Sequence, residues 1–141
     1  MLSLSCKYAL RAVVYLMSRA GTRLGIKEIA IAIEANAHTT AKILQVLAKA
    51  GLIHSAKGPT GGFFLNETEA ALYLIDVVRV IDGDAVFFEC GLGLKECSEE
   101  KPCPIHHSYK AARASLHQQF SSVTVQQLSE DLALGKAFLK R

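Results

Sequence analysis

With 141 residues, half of them hydrophobic, and a formal net charge of +3, the chain reads as one folded domain with an appended element, not as a disordered segment. The mild basicity permits nucleic acid as a partner without demanding it. No apolar run approaches the roughly 18 residues of a membrane span, and Lys7, Arg11 and Arg19 interrupt the apolar start, where a secretory segment must be uncharged; the expectation is a cytoplasmic chain that makes no use of a membrane.

Taken in order, the elements begin with a helix over Ser3–Ser18. Cys6, Ala9, Leu10, Val13, Val14, Met17 and Ala20 recur at helical spacing and give it one buried face. Cys6 on that face reads first as a small buried hydrophobe. Gly21 and Gly25 bracket a connection to a second helix over Ile26–Glu34. Ala35-Asn36-Ala37 reads as a tight turn, with Asn36 tolerating the left-handed conformation. A third helix follows from His38 to Ala50 and stops at Gly51, a helix-ending glycine.

Two short helices joined by such a turn match the helix-turn-helix pattern. Leu52–Ser55 then reads as a strand, Lys57-Gly58-Pro59-Thr60-Gly61-Gly62 as a turn and Phe63–Leu65 as a returning strand. A hairpin directly after a helix-turn-helix is a wing. Beyond it the pattern predicts a helix over Leu72–Ile81, a polar loop over Glu89–Cys103, and a long helix over Pro104–Phe120. Thr124 and Gln127 form a capping-box pattern that opens a terminal helix. The fold class is mainly α with a small β-hairpin wing (α+β): a winged helix-turn-helix plus a long dimerisation helix. The domains divide as 1–82 for DNA binding, 83–103 for the loop, and 104–141 for the dimerisation helix with a C-terminal helix returning to the core.

On the third helix Ala41, Leu44, Leu47 and Ala48 form the expected inward stripe. His38, Lys42, Gln45 and Lys49 share the opposite face, which is polar and cationic without a carboxylate. That absence favours a helix seated in a major groove over a merely solvated one. His38, Thr39 and Thr40, near the helix start, are candidates for base edges. Lys42 and Lys49 suit phosphates. Lys57 at the wing base suits a phosphate or the minor groove. Gly61 and Gly62 let the wing backbone turn sharply and come close to a duplex, although an ordinary hairpin turn also uses glycine. Ile105, Tyr109, Ala112, Leu116 and Phe120 make an apolar stripe on the long helix, suited to a two-fold dimer on DNA or to packing on the N-terminal core.

Cys90, Cys97, Cys103 and His106 follow a C-x6-C-x5-C-x2-H spacing in a segment broken by Gly91, Gly93, Pro102 and Pro104. Such a loop cannot bury thiols as core residues, but it can converge them on a metal centre or hold them as redox thiols. Sulfur ligands suit zinc and iron–sulfur clusters alike. His107 stands almost as well as His106 on the following helix.

Together these residues resemble the IscR/NsrR family of bacterial winged-helix transcription regulators. Lys7-Tyr8-Ala9-Leu10-Arg11-Ala12, His38-Thr39-Thr40-Ala41-Lys42-Ile43-Leu44 and Lys57-Gly58-Pro59-Thr60-Gly61-Gly62-Phe63 carry the likeness with the three cysteines, over Leu2 to about Leu132. The resemblance implies a homodimer on a palindromic operator, most simply a repressor. It would sense redox state, nitric oxide or iron–sulfur status through a cluster on Cys90, Cys97 and Cys103, with His106 as fourth ligand. Three thiolates and an imidazole fit [2Fe–2S] better than [4Fe–4S], and aerobic preparation can strip either. The family's alternative acidic ligand from the first helix has no counterpart, since no carboxylate precedes Glu28. Lys57 stands where the wing usually has Arg, and the first cysteine interval is one residue longer than the IscR-like one.

Two other readings stand beside this one. The same DNA-binding fold could hold zinc or metal-free thiols. A small electron carrier is the reading from another class, but the chain has no C-x-x-C. An enzyme finds no support either: no Ser/His/Asp order, phosphate-cradling glycine loop or paired carboxylates stand out.

Overall fold

A computed structural model describes residues 1–141 as seven helices and one two-stranded hairpin. The helices are α1 (Leu4–Ser18), α2 (Ile26–Ile33), α3 (Ala37–Lys49), α4 (Leu74–Ile81), α5 (Ala85–Phe88), α6 (His106–Ser122) and α7 (Val125–Ala133). The strands β1 (His54–Ala56) and β2 (Gly62–Phe64) lie between α3 and α4. The hairpin is antiparallel with His54 opposite Phe64, and Phe63 also bridges Leu24. The wing is thus pinned to the α1–α2 connection. No helix is long and apolar enough to cross a membrane.

α1 is the centre of the core. Ala9, Ala12, Val13 and Leu16 are wholly buried and meet Ile29 and Ile33 of α2, Leu44 and Leu47 of α3, Val77 of α4 and Val125 of α7. Each large aliphatic side chain so buried contributes roughly 1.5–3 kcal/mol. Cys6 joins a smaller cluster with Ile75, Val78 and Phe87. Burial first, then the nearby Asp82 carboxylate, pushes its thiol up to about 12. Cys6 is therefore a core residue, held as a protonated thiol.

The turn between α2 and α3 differs from the expected one. The left-handed residue is Glu34 (φ 56°), not Asn36. Asn36 is instead the N-cap of α3, its Oδ1 accepting from the Thr39 amide at 2.8 Å. An amide side chain free to cap leaves the turn geometry to its neighbour. α3 ends as expected at Gly51 (φ 80°), where the Gly51 and Leu52 amides donate back to Ala48 and Leu47. Its inward stripe is Thr40, Ile43, Leu44 and Leu47, with Ala41 and Ala48 only half-buried.

α4 starts two residues later than its apolar pattern suggests. Val125 donates to the Leu72 carbonyl (2.7 Å) and Leu74 to Val123 (3.1 Å), so this backbone is claimed by the α6–α7 connection. α7 opens on the expected capping box: Thr124 Oγ1 accepts from the Gln127 amide, and Gln127 Oε1 accepts from the Thr124 amide. It packs along α1. The short α5, absent from the expectation, buries Phe87 against Cys6, Ile75 and Val78, edge-on to Phe120 of α6.

Candidate functional site

The outward face of α3 carries His38, Lys42, Gln45 and Lys49, all exposed, with Thr39 half-buried at its start. None of Lys42, Lys49 and Lys57 takes part in an ion pair; the four in the molecule lie elsewhere. Cations left without carboxylates across one face are available to phosphates. Gln45, Lys49, Lys57 and Gly62 also line a groove of ≈ 430 Å³ between α3 and the wing. The recognition helix and wing thereby present one surface.

One of the expected contacts needs correction. Thr40 is 0% exposed, and its hydroxyl donates to the Asn36 carbonyl at 2.8 Å. A side chain with no accessible surface cannot reach a base edge; Thr40 locks the start of α3 into the core. Gly61 and Gly62, both half-exposed, also serve the fold. A Cβ at Gly61 would lie 2.2 Å from the Ala56 carbonyl oxygen, and one at Gly62 (φ 147°) 2.6 Å from that of Leu24. Gly61 permits close backbone packing inside the wing and Gly62 close packing of the wing on the α1–α2 connection, whereas Gly58 (φ 96°) at the tip has open space around it. Sequence reasoning missed Val46, an apolar side chain 46% exposed beside Lys42 and Lys49. It also missed Arg23, whose guanidinium lies 5.4 Å over the Phe64 ring at the wing.

The second site is the loop between α5 and α6. Backbone amides of Leu92 and then Leu94 donate toward the Cys90 sulfur, with the Cys103 thiol and the Gly93 amide adding, and together these outweigh burial and hold the Cys90 thiol below its ordinary value. Cys90 and Cys97 share a small cavity of ≈ 330 Å³ with Phe88, Gly93 and Leu94. Cys97 Sγ lies 3.5 Å from His106 Nδ1 and accepts from the Arg113 guanidinium at 3.2 Å. Arg113 is 8% exposed, donates also to the Glu89 carbonyl, lies 5.6 Å over the Tyr109 ring, and has no carboxylate partner. The four residues expected as ligands fall into two pairs, Cys90 with Cys103 and Cys97 with His106; the three sulfurs and the imidazole do not gather within 4.8 Å as a single ligand set.

Only His106 and Arg113 of α6 are buried, one helical face seven residues apart. This buried face is not the apolar Ile105-to-Phe120 stripe that the sequence presents. Ala112 and Leu116 of that stripe are exposed, while Ile105, Tyr109 and Phe120 are half-buried. On the far side of His106, Glu99 sits 3.3 Å from Nε2 and pairs with Lys110. The Lys110 ammonium, and after it His106, hold the Glu99 carboxyl down at about 2.

A cationic recognition helix followed by a pinned wing is the apparatus of a winged-helix DNA-binding protein. The Rrf2 family model, described as an iron-dependent transcriptional regulator, matches residues 2–131. The chain belongs to the Rrf2 family and is a DNA-binding transcriptional regulator, not an enzyme. It is 31% identical over 125 residues to an Aquifex aeolicus protein described as an HTH-type transcriptional regulator, covering 86% of each chain. It is 28% identical over 136 residues to the HTH-type transcriptional regulator NsrR of Geobacillus kaustophilus, covering 95% of this chain and 92% of that one. In fold it is similar to CymR (YrzC), the global cysteine regulator of B. subtilis, at a TM-score of 0.74 and 23% identity, over 97% and 98% of the two chains. T. potens IscR is comparable, at 0.73 and 21%, over 97% and 91%.

Proposed function

We propose that this regulator is a cytoplasmic homodimer that binds a palindromic operator, most simply to repress, and that the loop between α5 and α6 holds an iron–sulfur cluster that sets its DNA affinity. His38 and Thr39 read base edges, and Val46 offers an apolar contact to a thymine methyl. Lys42, Gln45 and Lys49 hold the major-groove backbone, and Lys57 reaches a phosphate beside the wing. Residues 1–82 serve as the DNA-binding part, 83–103 as the sensing loop and 104–141 as dimer helix and return. The exposed Ala112 and Leu116 support α6 as the dimer face.

The observation that carries the cluster reading is Arg113. A buried guanidinium without a carboxylate is costly unless an anion meets it, and the atom it meets is the Cys97 sulfur. The donor set fits: Cys90, Cys97 and Cys103 with His106 would hold the group, [2Fe–2S] more readily than [4Fe–4S]. When bound, such a cluster supplies a one-electron redox couple and a target for oxidants and nitric oxide. The chain's own residues do the rest. Arg113 ties the loop to α6 through Cys97 and the Glu89 carbonyl, α6 rests on α4, and α4 touches α3. A change in the loop therefore reaches the recognition helix through packed elements. A difference of about 1–3 kcal/mol between loop states alters DNA affinity about 5- to 150-fold.

The test is anaerobic purification with iron and sulfide analysis of the wild type and of Cys97→Ala. Brown, iron- and sulfide-bearing wild type and a colourless variant of altered operator affinity support the reading. Unaltered affinity contradicts it. A second reading draws on the lowered Cys90 thiol, to which Cys103 contributes after the Leu92 and Leu94 amides: the two thiols act as a metal-free redox pair. It requires a colourless wild-type protein whose DNA affinity responds to dithiol reagents.

A further inference from the structure

Glu99, His106 and His107 place one ligand atom each within 4.8 Å of one another. This set lies on the side of His106 away from Cys97. His106 turns Nδ1 toward the sulfur at 3.5 Å and Nε2 toward Glu99 Oε2 at 3.3 Å. Nε2 is fully buried, yet has no hydrogen-bond partner. The distance to Glu99 is short enough for a hydrogen bond, so it is the direction that fails. A buried ring nitrogen left unmatched beside a carboxylate oxygen costs stability unless a third group satisfies both. Lys110 occupies the other oxygen, Oε1, and so leaves Oε2 facing the imidazole. His107 stands with its ring centroid 5.0 Å from that of His106, near perpendicular to it, and is solvent-exposed.

We propose that Glu99, His106 and His107 form a site for a divalent first-row transition ion of the zinc class, which shares only His106 with the cysteine set. Two imidazoles and a carboxylate suit such an ion, and bond lengths near 2.0–2.2 Å keep its ligands within this spread. Three protein ligands leave at least one position open to water from the exposed His107 side. The buried Nε2 supplies the ligand whose orientation is fixed. His106 serves one site at a time: an ion on Nε2 withdraws this imidazole from the cysteine set, so the two sites compete for it.

The test uses Co2+ as a spectroscopic probe on the full chain, stripped by chelator and kept reduced under anaerobic conditions. In a Cys90→Ser/Cys97→Ser/Cys103→Ser chain, one Co2+ is expected to bind saturably, giving visible ligand-field bands without a near-ultraviolet thiolate band. Adding Glu99→Gln or His107→Ala should weaken that binding at least about tenfold. Should the triple variant fail to fold, the wild-type chain decides: His107→Ala should bind one Co2+ fewer, with the thiolate band unchanged. No saturable binding without the cysteines, or equal stoichiometry and affinity after both Glu99→Gln and His107→Ala, overturns the site. Iron and sulfide content of the His107→Ala chain is measured in parallel, so loss of the cysteine-held cluster registers separately.

Discussion

Replacing Arg113 with Ala removes the one buried cation of α6, the one that meets the sensing loop. The side chain is 8% exposed and makes two hydrogen bonds, to the Glu89 carbonyl and to Cys97 Sγ. Hydrogen bonds from a charged donor are each worth about 1.5–3 kcal/mol. The stem's contact with Tyr109 goes as well, while relief of the buried charge and of the unpaired Nε offsets part of the loss. The expected net destabilisation of the metal-free chain is about 2–4 kcal/mol, which for a chain of this size lowers Tm by roughly 6–15 °C. Calorimetry under reducing, anaerobic conditions reads it directly. The same variant should retain less iron after gel filtration than wild type. A melting temperature within about 2 °C of wild type, with full iron retention, would refute the reasoning, because it would mean that the guanidinium neither ties the loop to α6 nor meets an anion.

Lys49→Gln should weaken binding to all DNA sequences alike and reduce the slope of log affinity against log salt by about 1.8 per dimer; titrations at several salt concentrations check it, and an unchanged slope removes Lys49 from the phosphate contacts. Gly62→Ala forces a Cβ to 2.6 Å from the Leu24 carbonyl at φ 147° and should cost about 2–4 kcal/mol, read as a lower denaturation midpoint with a detached wing. Cys6 gives a pH dependence. Its folded thiol titrates near 12 and the unfolded one near 9.0, so its contribution is intact below pH 9 and is lost as the pH rises through 9 toward 12. Cys6→Ala should flatten that part of the alkaline stability profile, and an identical alkaline profile would show that the thiol is not protected by folding.

Every helix but the one-turn α5, together with the wing and the terminal capping box, is legible because each rests on local rules: apolar periodicity, turn glycines, a Thr-to-Gln reciprocal cap. Errors arose where distant backbone decided. The start of α4 yielded to pairing of Leu72 and Leu74 with residues 123 and 125. Thr40 looked like a groove residue because a threonine at a helix start is ambiguous, and only the packing of α3 against the core shows its hydroxyl folded back on Asn36. Cysteine spacing announced a sulfur site, but nothing local could reveal that Arg113, Glu99 and Lys110 would close around His106. Those contacts join a loop to a helix, and their partners carry no motif.

The central claim, that the state of the loop between α5 and α6 sets DNA affinity through a cysteine-held cluster, is tested most directly on one anaerobic preparation. Its affinity for a palindromic operator is measured before and after the cluster is removed by chelation, at fixed salt. The expected result is stoichiometric iron and sulfide at the start and an affinity change of about 5- to 150-fold on removal. Equal affinities in the two states, or protein that carries neither iron nor sulfide when prepared without air, would contradict the account.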